Sequence, residues 1–215
     1  MHLYLWLLVA LISYFLGNIN GAILISKYLM HDDVRSHGSG NAGLTNYFRT
    51  YGGFQSLLVI VIDVLKCVLA CVVAGILLPD HALYAKITAG LICILGHSYP
   101  ALAGFRGGKG ILCGAATAAC TDWRVFVIVM SLFIIAVLLT RYVSLGSVLA
   151  ASGYAIFIPV FHWGDWIACI LAVMAGGFVV FRHRGNIARL IKGTENKTIL
   201  FKKKDKSSKE GENGK

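Results

Sequence analysis

Seven stretches of almost unbroken apolar residues, at 3–25, 54–78, 87–103, 111–121, 125–140, 143–161 and 166–181, divide this chain from end to end. Neither the two-residue alternation of a half-buried strand nor the one-sided stripe of a surface helix describes them. Most approach or exceed the roughly 20 residues with which a helix crosses about 30 Å of hydrocarbon. The pattern therefore predicts an all-α integral membrane protein, a bundle of about seven transmembrane helices. Two places are weaker. The run at 111–121 is short and rich in small residues, and the runs flanking Arg141 and Tyr142 read either as one bent hairpin or as two tightly joined helices. Five crossings are the alternative, and either odd count puts the termini on opposite sides of the membrane.

Composition agrees. Of 215 residues 57% are hydrophobic and 14% charged, more apolar surface than a soluble domain of this length buries, which excludes a soluble enzyme, a disulfide scaffold and a disordered chain. The formal charge of +10 becomes informative once it is located. With the N-terminus outside, seventeen of the 20 Lys and Arg fall on the cytoplasmic side: Lys27, Arg35, Arg49, Arg106, Lys109, Arg141 and eleven from Arg182 onward. Translocating basic residues is unfavourable, so an external N-terminus and a cytoplasmic C-terminus are predicted. The charge then reports topology and a tail able to touch anionic headgroups, with no nucleic-acid partner. No basic region precedes the first run and Lys27 follows it, the pattern of a retained anchor. Residues 1–201 read as a single transmembrane helical domain and 202–215, a Lys/Glu/Ser/Gly tract, as a disordered basic cytoplasmic tail. The six cysteines lie in or beside apolar runs without a Cys-x-x-Cys pair; they read as small buried hydrophobes, and no metal site is assigned.

Three polar, glycine-rich segments remain, all on the predicted cytoplasmic side. The first runs from Arg35 to Arg49 and contains Ser39, Gly40, Asn41, Gly43, Thr45 and Asn46. Glycines let backbone N–H groups approach a phosphate, and hydroxyls, amides and arginine add charge-assisted hydrogen bonds; the plain alternative is a flexible loop. The second holds Gly96 and His97, then Gly107-Gly108-Lys109-Gly110 opening an apolar run. It offers the same donors and an ammonium, but lacks the spacing of a nucleotide P-loop, so ATP is not inferred. His97 reads equally as a helix-end histidine bonded to backbone. The third carries His183, Asn186 and Arg189 at three-residue spacing, then Glu195. If helical, the three share a face; the alternative is a basic flank that stops translocation. Within the second apolar run Asp63 and Lys66 stand three apart, and charges at that depth need a partner, so a mutual supporting pair is expected. Ser144 and Ser147 share a face pointing toward the cytoplasmic end, or simply pack.

Together and in order, these segments resemble the bacterial acyl-phosphate:glycerol-3-phosphate acyltransferases of phospholipid synthesis. The resemblance spans most of the chain and rests on Gly-Ser-Gly-Asn-Ala-Gly-Leu-Thr-Asn at 38–46 with Arg49, Asp63 with Lys66, Gly-His-Ser-Tyr-Pro at 96–100 with Gly-Gly-Lys-Gly at 107–110, and His-Arg-Gly-Asn-Ile-Ala-Arg-Leu at 183–190 with Gly193 and Glu195. It departs from the family pattern at Leu44 (usually Ala), Cys67 (Gly), Arg106 (Lys) and after Gly110 (Val-Ala), which touches packing or acyl-chain fit rather than the reaction. The resemblance implies seven crossings, a bacterial cytoplasmic-membrane enzyme whose site faces the cytoplasm, and acyl transfer from acyl phosphate to the 1-hydroxyl of glycerol 3-phosphate, giving lysophosphatidic acid.

Both substrates carry phosphate and the donor is already activated, so positioning and charge stabilisation suffice and no metal or organic cofactor is implied. The expected catalytic set is Ser39, Arg49, Lys109, His183 and Asn186. Substrate binding is expected from Gly40, Asn41, Gly43, Thr45, Asn46, His97, Gly107, Gly108, Gly110, Ser144, Ser147, Arg189 and Glu195, with Asp63 and Lys66 in support. A monomer is expected, with the enzyme that forms acyl phosphate as a partner. A thioester-dependent acyltransferase would show Asp five residues after His, and no histidine here has one. A transporter of phosphorylated solutes, the alternative from another class, would show repeated motifs or paired broken helices, and no motif repeats between the halves.

Overall fold

The computed structural model describes residues 3–198, and the expected tail at 202–215 lies outside them. Ten α-helices follow in order: α1 Leu3–Asn18, α2 Gly21–Leu29, α3 Leu44–Tyr51, α4 Gln55–Leu77, α5 Ala82–Ser98, α6 Ile111–Thr121, α7 Trp123–Thr140, α8 Val143–Phe161, α9 Trp166–Arg182 and α10 Arg184–Ile191. There is no strand among the described residues. Counted by length and composition, α1 with α2, then α4, α7 and α8, are long and apolar enough to cross a membrane, and α9 with α10 makes a fifth, bent by 57° at the break. Hydrocarbon as solvent explains the outward faces: on α4, Leu65, Leu69, Val72 and Ile76 are exposed while Asp63 and Lys66 are buried, the inverse of a soluble helix.

Two expected boundaries move. The first apolar run is broken: α1 ends at Asn18 and α2 begins at Gly21. The run expected at 87–103 is α5, which starts at Ala82 and stops at Ser98, with only a short 3-10 turn at Ala101–Ala103 beyond it. Hydropathy alone read Lys86 as a boundary and carried the crossing past Pro100, which instead turns the chain. Gly96 and His97 therefore belong to a helix. A Cβ on Gly96 would press on Tyr14 O and on Gly17 Cα, and one on Gly17 would press on Gly96 Cα and Cys93 O, so these two glycines let α1 and α5 touch backbone to backbone. The runs flanking Arg141 are two helices, reversed by Arg141 at φ 64°.

The break in the first run exposes helix-end backbone inside the bundle, where water cannot satisfy it. The charged pair on α4 does so. Lys66 Nζ donates to Ile19 O (2.7 Å) and Gly17 O (3.3 Å), the carbonyl end of α1, while Asp63 Oδ1 accepts from Gly21 N (3.2 Å), the amide end of α2. Each charge sits against the helix dipole of opposite sign, and the two pair at 2.7 Å. Asn20 caps α2 by accepting from Ile23 N at 3.0 Å.

Candidate active site

The first two polar segments meet at one end of the bundle because their backbones are stitched together, and Arg49 Nη2 ties in the third by donating to Asn196 O (3.1 Å). Ala42 N donates to Gly107 O (3.4 Å) and Asn20 Nδ2 to Ala42 O (3.0 Å), joining the first segment to the second and to the helix break. Gly107 N and Gly108 N donate to Ser98 O (3.2 Å) and His97 O (3.0 Å). Gly40 N likewise donates to His37 O at 2.9 Å. These three amides are bonded within the protein, and Gly40, Gly107 and Gly108 do not line the cavity described below. A Cβ on Gly108 would collide with His97 Nε2 and Ala42 O, and one on Gly107 with His97 O and Pro100. The two glycines are needed for this close docking onto the end of α5.

A cavity of about 550 Å³ opens below the stitched loops. Its polar mouth is lined by Ser39, Asn41, Gly43, Thr45, Asn46 and Arg49 from the first segment, by Lys109 and Gly110, by Ser144 and Ser147 of α8, and by His183, Asn186, Arg189 and Glu195. Asp63 and His97 form part of its wall. Its far end is apolar, between α6, α7, α8 and α9. Sixteen of the twenty residues expected in the site line it; the exceptions are the three glycines above and Lys66, which is spent on the helix break.

Within the mouth, side chains divide into those held by protein and those left for a ligand. Asn46 accepts from Ser39 N (3.0 Å) and donates to Val34 O (2.9 Å) and His37 O (3.0 Å), so it shapes the loop. Arg35, at the other end of the segment from Arg49, is used by Asp33 (2.8 Å) and Ala103 O (2.6 Å). The side chains of Ser39, Asn41 and Thr45 make no hydrogen bond among the described residues, and α3 begins beside them with the unpaired amides of a helix N-terminus. Lys109 Nζ donates to Asn186 Oδ1, Asn186 Nδ2 donates to Glu195 Oε1 (2.8 Å), and Arg189 Nε donates to Glu195 Oε2 (2.7 Å). This chain fixes all four residues from two segments. His183 is not on α10 with its neighbours; it caps α9, and its Nδ1 lies 2.8 Å from Val179 O. A carbonyl only accepts, so Nδ1 carries the proton and Nε2 is the acceptor. At His97 the assignment reverses: Nδ1 receives Lys66 Nζ (2.9 Å) and Asn20 Nδ2 (3.4 Å), so Nε2 carries the proton.

The electrostatics favour anions. Burial and the nearby charges of Arg189, Arg182 and Arg49 lower the Lys109 ammonium to about 8, with Glu195 opposing. Burial would raise the Glu195 carboxyl, but hydrogen bonds from Asn186 and Arg189 more than offset it and hold it below its ordinary value. At neutral pH the mouth therefore presents Arg49, Lys109 and Arg189 against one carboxylate. The sequence reading missed Arg182. It donates to Gly108 O (3.0 Å) and Tyr99 OH (3.2 Å) and stacks over the Tyr99 ring at 4.7 Å, so it positions the loop that carries Lys109. Its signal in the sequence was only one more arginine in a basic flank.

A pH dependence follows. Lys109 is charged below about 8 and loses its charge above it, so KM for a phosphate-bearing ligand should rise as pH climbs through that value. Bound phosphate stabilises the ammonium, so the limb in kcat should lie at higher pH than the limb in kcat/KM. Arg182→Gln keeps a donor for Gly108 O but removes a cation from beside Lys109, and should move the kcat/KM limb upward. Identical limbs in the two enzymes would remove Lys109 as the titrating group.

A profile of the glycerol-3-phosphate acyltransferase family matches residues 7–193. The glycerol-3-phosphate acyltransferase of Finegoldia magna is 38% identical over 195 residues, covering 90% of this chain and 97% of the relative. That of Halalkalibacterium halodurans is 40% identical over 203 residues, covering 93% and 97%. Among solved structures, PlsY, an integral membrane glycerol 3-phosphate acyltransferase, superposes in its glycerol 3-phosphate form with a TM-score of 0.82 at 31% identity, covering 90% of this chain and 96% of that one. Its lysophosphatidic acid form gives 0.79 at 28% identity, with 90% and 95% covered.

Proposed function

Because the chain belongs to the glycerol-3-phosphate acyltransferase family, we propose that its donor is an acyl phosphate and that the cavity described above is where the two substrates meet. The protein is an integral membrane acyltransferase that acylates glycerol 3-phosphate to lysophosphatidic acid. The observation that carries the reading of the site is the shape of the cavity: a cationic, hydroxyl-lined mouth continuous with an apolar slot, which matches substrates that are phosphate at one end and acyl chain at the other.

The 1-hydroxyl oxygen attacks the acyl carbonyl carbon, the carbonyl oxygen becomes an oxyanion, and collapse breaks the bond to phosphate, which leaves with the electron pair and takes up the proton that the hydroxyl loses. Ser39, Asn41, Thr45, Arg49 and Lys109 hold the phosphates and the oxyanion, while His183 and Asn186 orient the acceptor. His183 Nε2, free to accept because Nδ1 is tied to Val179 O, receives the hydrogen bond of the attacking hydroxyl. Asp63 and Lys66 support the site by sealing the helix break. The work is done by positioning and fixed charge rather than by a strong base.

Seven crossings of one domain, a monomer in the bacterial cytoplasmic membrane and a site facing the cytoplasm complete the proposal. Its support is the charge distribution: Arg49, Arg106, Lys109 and Arg141 lie in the segments beside the cavity mouth, whereas Lys86 and Arg124 sit at the opposite ends of their helices, as positive-inside placement requires. The donor is tested by purified protein, radiolabelled glycerol 3-phosphate and palmitoyl phosphate, palmitoyl-CoA or palmitoyl carrier-protein thioester. We expect product from acyl phosphate alone; product only from a thioester would overturn the donor.

A further inference from the structure

The slot has a definite bottom. Its lining positions on α8 are Val143, Ser144, Ser147, Ala150, Ala151 and Tyr154, which at 1.5 Å per residue places Tyr154 about 15 Å below Ser144. Nearest to it the walls from α8 and α9 are Ala150, Ala151, Ala175 and Gly176, small enough to leave a channel. At Tyr154 the channel meets a buried phenol whose hydroxyl lies 3.3 Å from Thr121 Oγ1. Thr121 donates its own proton to Thr117 O (2.9 Å) or Ala118 O (3.2 Å), so the phenol is the donor of the pair. A buried phenol needs such a partner, and the bond holds the ring across the slot. Ile87, Val125 and Ile158 belong to the same buried cluster as Tyr154, and none of them lines the cavity.

We propose that Tyr154, tethered to Thr121, is the floor of the acyl slot and sets the longest donor chain that the enzyme fully buries. The inference rests on the acyl-phosphate reading given above. Until the chain end reaches the floor, each further buried methylene should raise kcat/KM about four-fold; beyond it the rise stops.

The test measures kcat/KM for octanoyl, decanoyl, lauroyl, myristoyl, palmitoyl and stearoyl phosphates, together with KM for glycerol 3-phosphate. Native enzyme should show a break in the series. Tyr154→Ala should carry the rise to longer chains with KM for glycerol 3-phosphate unchanged, and Ala150→Leu, partway down the slot, should bring the break to shorter ones. Should Tyr154→Ala fail to fold, Tyr154→Leu removes the ring and tether with less loss of packing and reads the same shift. An unchanged ranking in the Tyr154 variants overturns the floor, as does a shift in Ala150→Leu alone, which would mean that the chain leaves sideways into lipid above Tyr154. A native enzyme inactive with every acyl phosphate would instead defeat the donor reading on which the floor rests, and is distinguished by appearing before any substitution.

Discussion

Lys109→Ala should lower kcat/KM for glycerol 3-phosphate by about a hundred- to a thousand-fold, the range seen when one preorganised donor to developing charge is removed, while the protein remains folded. The two effects should separate cleanly because the lysine does little for the empty fold. Its ammonium is bonded to a neutral amide, Asn186, and is crowded by Arg189, Arg182 and Arg49, which together with burial lower its proton affinity to about 8. Removing a cation from among cations relieves repulsion, so thermal unfolding in detergent should be unchanged or shifted upward. With phosphate present the balance inverts, since the dianion is what this crowding is arranged to meet. Lys109→Arg keeps the charge on a longer, planar group and should recover part of the activity. The measurement is turnover of radiolabelled glycerol 3-phosphate beside a melting curve; native turnover in the alanine variant would remove Lys109 from the site.

Much of this site was legible because anion chemistry leaves a compositional trace. Ser39, Asn41, Thr45 and Arg49, then Lys109, then Asn186 and Arg189, are polar residues in a chain that is otherwise hydrocarbon, and nearly all of them reach one cavity. What the sequence obscured was the use of individual groups. A glycine-rich run looks the same whether its amides face a ligand, as expected of Gly107 and Gly108, or a helix end, as found. Arg182 was indistinguishable from a topological charge until its bonds to Gly108 O and Tyr99 were seen. The apolar slot was illegible for a simpler reason. Ala150, Ala151, Ala175 and Gly176 are ordinary packing residues in a membrane bundle, and only three-dimensional arrangement turns them into a channel.

The helix break was the feature that hydropathy could not register, and it bears on the transporter alternative. Broken helices in transporters present their free ends to a solute. Here the ends of α1 and α2 are closed by Lys66 and Asp63, and none of the residues from Gly17 to Asn20 lines the cavity. The break serves the enzyme by letting Asn20 reach both Ala42 O and His97 Nδ1, which ties the first polar segment to α5.

Lys66→Met should therefore be among the most destabilising single changes in the chain, costing about 3–5 kcal/mol as expected when one partner of a buried ion pair is removed. Both members are almost fully buried, at 5% and 1% exposure. Methionine fills the volume but leaves the Asp63 carboxylate without its cation, and Ile19 O and Gly17 O without a donor, in a region that hydrocarbon surrounds. Replacing both charges, as Asp63→Leu with Lys66→Met, removes the stranded carboxylate and should recover part of the loss. Recovery should stay incomplete, because Gly21 N–H and the α1 carbonyls still lack partners, and this separates the present arrangement from an isolated buried pair, for which apolar replacement is often neutral. The readout is a double-mutant cycle of melting temperatures in one detergent, with glycerol 3-phosphate affinity measured in each surviving variant. Full recovery in the double variant would mean that the helix ends do not depend on the pair, and a negligible effect of Lys66→Met would mean that the ammonium is not what closes the break.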